Sequence, residues 1–365
     1  MATRLYIGRK DKSISKELIF QLLDDYINDS YSGKRLKTNG QRINIESVKN
    51  YEYLRKNLQE FVEKKEYNLK IYIVSSLNQA ERERAGKYYN KFYSQFTHFL
   101  YGDKGFFDNY VGLIIKYLKS FFNYLDKERN IPIGSYHRLF YVPTEEIPII
   151  ALSHEQLNFF IHDKDFDELV KQHELEKVKD IFVFGCTVAL RVSDLLTLTA
   201  KNLMVQQDKY YIKVKSKKTG THTSIKLPDY AIAILKKHKR RGANAKLLPD
   251  ISGAWFNNRL KDLARLIPDN FELIKTRERR GKQVVVYKNP EKRVHYKLAD
   301  HMSTHTMRRT AITNMLCLGV PEHLVRKISG HASNSHEFFR YVKHSQSFID
   351  DETDSFFSRL KELNS

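Results

Sequence analysis

Apolar residues recur at helical spacing through most of the first 130 residues. One stripe begins at Val48, a helix is predicted over residues 80–101, and another stripe begins at Val111. A shorter helical pattern covers residues 14–26. Because spacings of three and four residues place side chains on one face of a helix, this region is predicted to form a small all-helical domain.

The predicted helix over residues 80–101 is rich in aromatic residues, which allows two interpretations. The rings could form a platform on which bases stack, or they could form a buried core. Their helical spacing favours the core. The residues concerned are Tyr88, Tyr89, Phe92, Tyr93, Phe96 and Phe99.

The helical period breaks between residues 131 and 149, where Pro132, Pro143 and Pro148 occur. Prolines at this density are typical of an extended linker. A chain of 365 residues is also too long for a single ordinary domain, since domains usually contain about 100 to 200 residues. The predicted organisation is a short N-terminal extension (1–36), a helical domain (37–135), a linker (136–150), a second domain (151–346) and a C-terminal tail (347–365).

The second domain mixes helical and strand patterns. Ser153 and Gln156 have the spacing of a capping box, which predicts that a helix starts there. A mostly apolar helix is predicted over residues 175–189, and residues 210–214 alternate as a strand before the turn sequence SKKTGTH. The predicted fold class is therefore mainly α with a small β-sheet (α+β).

The charge balance points to a phosphate-rich partner. Lys and Arg number 63 against 43 Asp and Glu, a formal net charge of +20. Nucleic acid is the default partner for such a chain, because neutralising several phosphates gives tight, salt-dependent binding. A basic surface that serves only solubility is the alternative.

Cysteine usage and the apolar content of the chain bear on the compartment. Cys186 and Cys317 are the only cysteines, and both lie in apolar helical patterns. This predicts neither a disulfide framework nor a zinc site, and it fits a reducing, intracellular compartment. The N-terminus has no apolar signal region, and no uninterrupted apolar run reaches the length of a membrane span, so we expect a protein that is neither secreted nor membrane-bound.

An ordered set of polar residues carries the candidate chemistry. His305, Arg308, His331 and Tyr341 follow one another in a short C-terminal stretch, and two cations precede them at wide spacing. A phosphodiester that is attacked by a hydroxyl develops negative charge, and fixed cations and hydrogen-bond donors stabilise that charge. The set therefore predicts a phosphoryl-transfer site without metal ligands. The two preceding cations are Arg191 and Lys218.

Single members of this set also have ordinary structural interpretations. Arg191 could pair with Asp194 three residues later. Lys218, near the tip of the predicted hairpin, could simply be solvated, and Tyr341 shares an apolar helical stripe with Phe338. The functional interpretation depends on the residues occurring together.

Together these residues resemble the motif of the tyrosine site-specific recombinases, the phage integrase family, and most closely the integrases of bacterial mobile elements. The resemblance covers about residues 40–350. Lys217 is adjacent to Lys218 and could take the lysine role. The matching positions are Arg191 in ALRVSDLL, Lys218 in KKTG, His305 and Arg308 in HTMRR, His331 in SGH and Tyr341 in FFRYVKH.

The resemblance implies a mechanism in which Tyr341 attacks a DNA phosphate, forms a 3′-phosphotyrosyl link and releases a 5′-hydroxyl. It implies that Arg191 and Arg308 hold the non-bridging oxygens, that His305 and His331 assist with hydrogen bonds and proton balance, and that Lys218 protonates the leaving oxygen. Neither a metal nor ATP is required, and no cofactor is expected.

The resemblance further implies a helical core-binding domain and a mainly helical catalytic domain that close on duplex DNA as a clamp. The implied partners are DNA with specific recombination sites and three further copies of the chain on paired sites. The resemblance also allows an accessory DNA-bending protein as a partner. The tail over residues 347–365 has an amphipathic pattern and is expected to contact a neighbouring subunit. The implied location is the bacterial cytoplasm, in association with the nucleoid.

Residues 275–297 hold nine basic residues against two acidic ones and include a strand-like segment. A solvated loop is one interpretation, and contact with the DNA backbone is the interpretation that the implied clamp favours. The candidate DNA-contact residues, within this segment and elsewhere, are Lys217, Arg277, Arg279, Arg280, Lys282 and Arg309.

Two rival functions use related features. A type IB topoisomerase performs the same chemistry but relaxes DNA without a specific site. A DNA-binding relative without catalytic activity would keep the charge but lose part of the motif, whereas all six motif positions are present here.

Overall fold

The structure, a computed structural model, describes residues 12–357 apart from 218–219, 269, 333–334, 336, 346–349, 351–352 and 355–356. Lys218 and most of the predicted C-terminal tail therefore lie outside the described residues. The helices are α1 (Lys16–Ser32), α2 (Ile45–Lys64), α3 (Gln79–Gly102), α4 (Asp108–Lys127), α5 (His154–His162), α6 (Lys164–Gln172), α7 (Glu176–Val188), α8 (Val192–Leu195), α9 (Asp229–Lys237), α10 (Gly253–Arg265), α11 (Leu298–His301), α12 (Thr304–Cys317) and α13 (Glu322–Ser329). Residues 337–345 are also helical and are called the C-terminal helix below.

Short strands accompany these helices. They are β1 (Ser13–Ile14), β2 (Ile71–Tyr72), β3 (Leu203–Gln206), β4 (Lys209–Lys215), β5 (His222–Lys226), β6 (Glu272–Leu273), β7 (Lys275–Arg279), β8 (Lys282–Val286) and β9 (Tyr296–Lys297). The order β3-β4-β5 forms an antiparallel sheet in which Ile212 lies between Leu203 and Ile225. The predicted fold class, mainly α with a small β-sheet, is confirmed.

The chain divides into two compact units. Unit 1 comprises Met1–Ile147 with Thr276–Val286, and unit 2 comprises Pro148–Lys275 with Tyr287–Ser365. This division differs from the predicted boundaries in three places. The predicted linker (136–150) lies mostly in unit 1, because Phe140 is buried in the core of that unit. Helix α1, which the sequence analysis assigned to a short extension, belongs to unit 1, because its apolar face is buried in that unit's core through Leu22, Leu23 and Tyr26.

The aromatic residues of α3 are core residues of unit 1, as predicted. Tyr89, Phe92, Phe96 and Phe99 are buried, and the first of these rings stacks on Tyr136 at a centroid distance of 4.9 Å. Tyr88 and Tyr93 are half-buried, and their hydroxyls donate to backbone carbonyl oxygens at 3.2 and 2.9 Å. Each of these two packed tyrosines therefore keeps a hydrogen-bond partner for its hydroxyl group, as packed tyrosines usually do.

The third difference is the β7–β8 hairpin, which packs within unit 1 although its sequence lies inside the predicted second domain. Its turn has positive φ at Arg280 and Gly281, as two-residue hairpins of the I′ type require. Both turn N–H groups donate to the buried carboxylate of Asp108, at 2.7 and 2.8 Å. Glu145 accepts the Glu278 N–H at 2.6 Å and the Arg277 guanidinium at 2.5 and 3.0 Å.

The carboxylate of Glu145 is stabilised in its charged form. Burial alone would raise its pKa, but the hydrogen bonds from Arg277 and from the Glu278 N–H lower the pKa below its usual value. Two buried carboxylates of unit 1, on Asp108 and Glu145, thus hold this hairpin.

Helices α7 and α12 form the centre of unit 2, and they approach closely at a glycine. A Cβ atom on Gly185 would lie 2.4 Å from Sδ of Met307, so the absence of a side chain permits the contact. Helix α7 ends in Ala189, a left-handed residue with φ of 54°. The capping box predicted at Ser153 and Gln156 is present at the start of α5 and is confirmed.

Within the described part of the chain, no helix combines the length and the apolar character that crossing a bilayer requires.

We expect Gly112→Ala to destabilise unit 1 by about 1 to 3 kcal/mol, because the added Cβ would lie 1.9 Å from the Pro143 carbonyl oxygen. Gly86→Ala is the matched control on α3, since its nearest neighbour would be a Tyr136 ring carbon at 3.7 Å. That control should be stabilised by roughly 0.5 to 1 kcal/mol, because alanine favours helix. Urea denaturation of the full-length protein measures both changes, and equal unfolding midpoints would contradict the close approach.

Candidate active site

Arg308 lies at the centre of a cluster of polar side chains in unit 2. Its neighbours on α12, Met307 and Ala311, belong to the apolar core, and the guanidinium itself is buried with 6% of the residue exposed. Nη1 donates to the Ala189 carbonyl oxygen at 2.7 Å, and Nη2 lies 3.2 Å from Nε2 of His331. Because Ala189 ends α7 in the left-handed conformation, its carbonyl oxygen is available to the arginine rather than to the next helical turn.

Arg191 follows Ala189 after one residue and supplies a second positive charge. It precedes α8 in extended conformation, and its Nη1 donates to the Ser216 hydroxyl at 3.2 Å. Burial, and then the charge of Arg191, lower the pKa of Arg308 to about 10. Two guanidinium groups therefore lie close enough to repel each other, which makes their surroundings favourable for an anion.

The structural alternative for Arg191, an ion pair with Asp194, is not what the structure contains. Both residues are described, and they form no ion pair within this part of the chain. Instead the buried Asp194 carboxylate accepts the backbone N–H of Lys217 at 3.2 Å. Asp194 thus holds the start of the turn between β4 and β5 rather than neutralising the arginine.

That turn contains the predicted hairpin lysine in its sequence. Ser216 and Thr221 close it through a 2.9 Å backbone bond, and Gly220 has a φ of 69°. The side chain of Lys217 is exposed. Lys218 itself lies outside the described residues, so its assignment stays a prediction from the sequence.

His331 follows α13 directly and contacts Arg308. Gly330 ends the helix in the left-handed conformation, and a Cβ there would lie 3.4 Å from the Thr223 methyl group of β5. Nδ1 of His331 lies 2.8 Å from the Ser329 hydroxyl. Burial, followed by the charges of Arg308, Arg191 and Arg326, lowers the pKa of His331 to about 3, so the ring is neutral.

Tyr341 lies on the C-terminal helix beside this histidine. The two rings have a centroid distance of 5.9 Å, and Tyr341 packs half-buried against the small core that contains Phe338 and Val325. A charge on its phenol would interact favourably with Arg308, whose pKa it raises. The predicted nucleophile is therefore both a packed aromatic residue and a neighbour of the cationic cluster.

His305 differs from the other predicted residues in exposure. It lies in the first turn of α12, and its side chain is exposed, whereas Arg308 one turn later is buried. Spacing alone placed the two on one face, but their exposure differs, although Met307 between them is buried against α7.

The candidate DNA-contact residues of the β7–β8 hairpin have protein partners in unit 1. Arg277 pairs with Glu145, Arg279 donates to the Gly105 carbonyl oxygen at 2.9 Å, and the Arg280 side chain lies 3.1 Å from a His98 nitrogen. Lys282 is exposed. Arg309, on α12 in unit 2, is half-exposed. Contact of these residues with DNA stays a prediction.

Sequence reasoning missed three residues of the cluster. Ser216 and Ser329 each contact a predicted site residue, and Asp194 holds the turn that carries the lysine. Asp194 was visible only as a possible ion-pair partner. Nothing in the spacing distinguishes the two serines from other serines. The partner of Ser216 is set by a tertiary contact, and that of Ser329 by the left-handed turn at Gly330.

Comparisons with known proteins identify the family and the fold. The family model described as the phage integrase family matches residues 160–347, just over half of the chain. No curated protein is significantly similar in sequence.

Solved structures with the same fold include the XerH site-specific recombinase bound to palindromic difH substrate in a post-cleavage complex. It has 14% identity and a TM-score of 0.61 over 92% of this chain and 95% of that one. A lambda integrase tetramer bound to a Holliday junction has 13% identity and a TM-score of 0.57 over 91% and 78%. The Tn1549 transposon integrase in complex with a circular intermediate DNA has 16% identity and a TM-score of 0.53 over 88% and 94%. At these identities the likeness establishes the fold.

The lowered pKa of His331 predicts how stability depends on pH. The unfolded chain binds a proton near the ordinary value of 6.5, whereas the folded ring does so only near 3. The stabilising contribution is therefore complete above pH 6.5 and is lost as the pH falls toward 3. His331→Gln should remove it, so that stability falls less steeply, by up to roughly 1.4 kcal/mol per pH unit.

Chemical denaturation of both proteins at several pH values within this window measures the difference. The buried His137, whose pKa is lowered to about 4, contributes with the same sign in both proteins and cancels in the comparison. Parallel stability curves for the wild type and His331→Gln would contradict the prediction.

Proposed function

The chain belongs to the phage integrase family, the tyrosine site-specific recombinases, and on that premise we propose that Tyr341 is the nucleophile with which it cleaves and rejoins duplex DNA. The protein is a site-specific DNA recombinase and thus a DNA strand transferase. The observation that carries the residue assignment is the position of the Tyr341 ring, 5.9 Å from the His331 ring that contacts the buried Arg308.

Arg191 and Arg308 bind the two non-bridging oxygens of the scissile phosphate in this proposal. Neither guanidinium forms an ion pair with a described carboxylate, and each lowers the pKa of His331 through its positive charge. Within the described part of the protein, these guanidinium groups contact only uncharged acceptors: a hydroxyl, a carbonyl oxygen and a neutral imidazole. A phosphate would give the same donors a negatively charged acceptor. Charge-assisted hydrogen bonds of this kind are roughly twice as strong as neutral ones.

The reaction is a transesterification in two reversible steps. The phenolic oxygen of Tyr341 forms a bond to phosphorus while the bond from phosphorus to the 5′ oxygen breaks, and a histidine of the cluster accepts the phenolic proton. Lys218 donates a proton to the leaving 5′ oxygen, with Lys217 as the alternative donor. Attack by a 5′-hydroxyl on the 3′-phosphotyrosyl bond reverses the step. One phosphodiester replaces another, so the bond energy is retained.

We further propose that the partner is duplex DNA with two recombination sites, held by four copies of the chain. The net charge of +20 favours a polyanionic partner. The solved relatives include DNA-bound recombinases and a tetramer on a Holliday junction. In this proposal the helical part of unit 1 binds the core of the site, unit 2 performs the chemistry, and the tail over residues 347–365 contacts a neighbouring copy. An accessory DNA-bending protein and association with the nucleoid belong to the same proposal.

Tyr341→Phe should abolish the covalent DNA adduct, because phenylalanine keeps the ring packing and removes the attacking oxygen. The substrates are duplexes tiled across the DNA that flanks the gene, each with a nick beside the tested phosphate, so that the cleaved end diffuses away and the adduct accumulates. Denaturing gel electrophoresis detects it. Tyr53→Phe, at an exposed position of unit 1, is the control and should form the wild-type amount of adduct. An adduct in Tyr341→Phe would disprove the assignment.

Lys218→Ala should slow cleavage of ordinary DNA and recover on DNA whose leaving 5′ oxygen is replaced by sulfur. A thiol ionises near pH 8.5, far below an alcohol, so a thiolate leaves without a donated proton. Lys217→Ala is the matched neighbour and should cleave both substrates at the wild-type rate. Single-turnover cleavage rates measure the effect. Loss and recovery in Lys217→Ala instead would transfer the role to that residue.

A further inference from the structure

Ser329 lies beside the proposed catalytic residues but has no role in the mechanism described above. Its hydroxyl is buried, with 2% of the residue exposed, and lies 2.6 Å from the Val325 carbonyl oxygen one helical turn earlier. The same oxygen lies 2.8 Å from Nδ1 of His331. The left-handed Gly330 between the two residues reverses the chain and lets the histidine ring return to the end of α13.

The hydrogen-bond chemistry determines the direction of both bonds. A carbonyl oxygen can only accept, so the hydroxyl proton of Ser329 points to Val325. The hydroxyl oxygen must then accept from the ring, which places the proton of neutral His331 on Nδ1.

Arg308 completes the assignment of the ring nitrogens. Its Nη2 lies 3.3 Å from Nδ1 and 3.2 Å from Nε2. A guanidinium has donors only, and a protonated Nδ1 cannot accept, so Nε2 is the ring nitrogen that is able to accept from it. The lone pair of Nε2 is thus the acceptor that the histidine offers to this cluster.

We propose that Ser329 is a positioning residue that holds His331 in the Nδ1-protonated form, so that Nε2 accepts the phenolic proton of Tyr341 during cleavage. This proposal rests on the proposed function. When Arg308 donates to a phosphate instead of to the ring, the lone pair of Nε2 becomes available to accept from the phenol.

The proton transfer balances within the reaction already described. The O–H bond of the phenol breaks and an Nε2–H bond forms, while the phenolic oxygen bonds to phosphorus and the 5′ oxygen leaves with a proton from the hairpin lysine. The resulting imidazolium keeps its Nδ1–H bond to Ser329, which stabilises the positive ring. Rejoining returns the Nε2 proton to the phenolic oxygen.

Nuclear magnetic resonance of the full-length protein with ¹⁵N-labelled histidine tests the tautomer without DNA. The signals of His331 are assigned by their loss in His331→Gln. We expect a protonated Nδ1 in the wild type and a mixture of tautomers in Ser329→Ala. The matched control is Ser30→Ala in unit 1, where a buried serine makes the same 2.6 Å bond to a carbonyl one turn earlier and accepts from Arg35 at 2.9 Å. It should leave His331 unchanged.

A protonated Nε2 in the wild-type protein would overturn the proposal even if Ser329→Ala does not fold. Retention of the pure Nδ1-protonated form in a folded Ser329→Ala would overturn it as well.

Single-turnover cleavage of the nicked duplex supplies the functional arm. We expect Ser329→Ala to slow adduct formation by at least about tenfold with unchanged DNA affinity, since loss of the group that orients a catalytic histidine can reduce a rate by up to about 10⁴-fold. Ser329→Thr, which keeps the hydroxyl, should retain the rate.

A wild-type rate in Ser329→Ala with mixed tautomers would remove the assigned role of Ser329 while leaving Tyr341 as the nucleophile. An adduct that persists in Tyr341→Phe would instead reject the proposed function itself.

Discussion

The buried guanidinium of Arg308 is the feature on which the catalytic unit depends. Burial of a charge is unfavourable unless other groups satisfy it, and here the groups are the Ala189 carbonyl oxygen and a neutral His331. Neither carries a negative charge, so part of the electrostatic demand is left for a ligand. The left-handed end of α7, the close approach at Gly185 and the turn at Gly330 all serve to bring these groups around one side chain.

A comparison with other arginines of the chain shows what sets Arg308 apart. In unit 1, Arg55, Arg129 and Arg277 each form an ion pair with a carboxylate. Such pairs are complete in themselves and hold elements together, as Glu145 does for the β7–β8 hairpin. Arg191 and Arg308 form no ion pair with a described carboxylate, and they lie close enough to lower the pKa of the same histidine. The arginines of the chain therefore differ in their partners, and the absence of a paired carboxylate at Arg191 and Arg308, among the described residues, is what the proposed binding of a phosphate requires.

Hydroxyl groups are the second element of this design. Ser216 accepts from Arg191, and the Ser329 hydroxyl lies 2.8 Å from Nδ1 of His331, so each contacts a charged or titratable group without neutralising it. A carboxylate in either place would compete with a phosphate for the cationic side chains. Asp194 forms no ion pair with either arginine and accepts the backbone N–H of Lys217, although its charge raises the pKa of Arg308.

Much of this protein could be predicted from the order of its residues. Helical periodicity identified the aromatic core of α3, and the capping box at Ser153 located the start of α5. The motif of Arg191, Arg308, His331 and Tyr341 indicated residues that do lie together in unit 2. Lys218 lies outside the described part of the chain. Periodicity works here because burying one face of a helix is a local requirement. Three-dimensional folding was needed to assign α1 and the β7–β8 hairpin to unit 1, to leave His305 exposed while Arg308 is buried, and to bring Arg308 to a carbonyl oxygen 119 residues away. Those outcomes depend on hydrogen bonds between segments that are distant in sequence. The pattern of residues along the chain indicates which face of an element is buried, but not against which other segment that face packs.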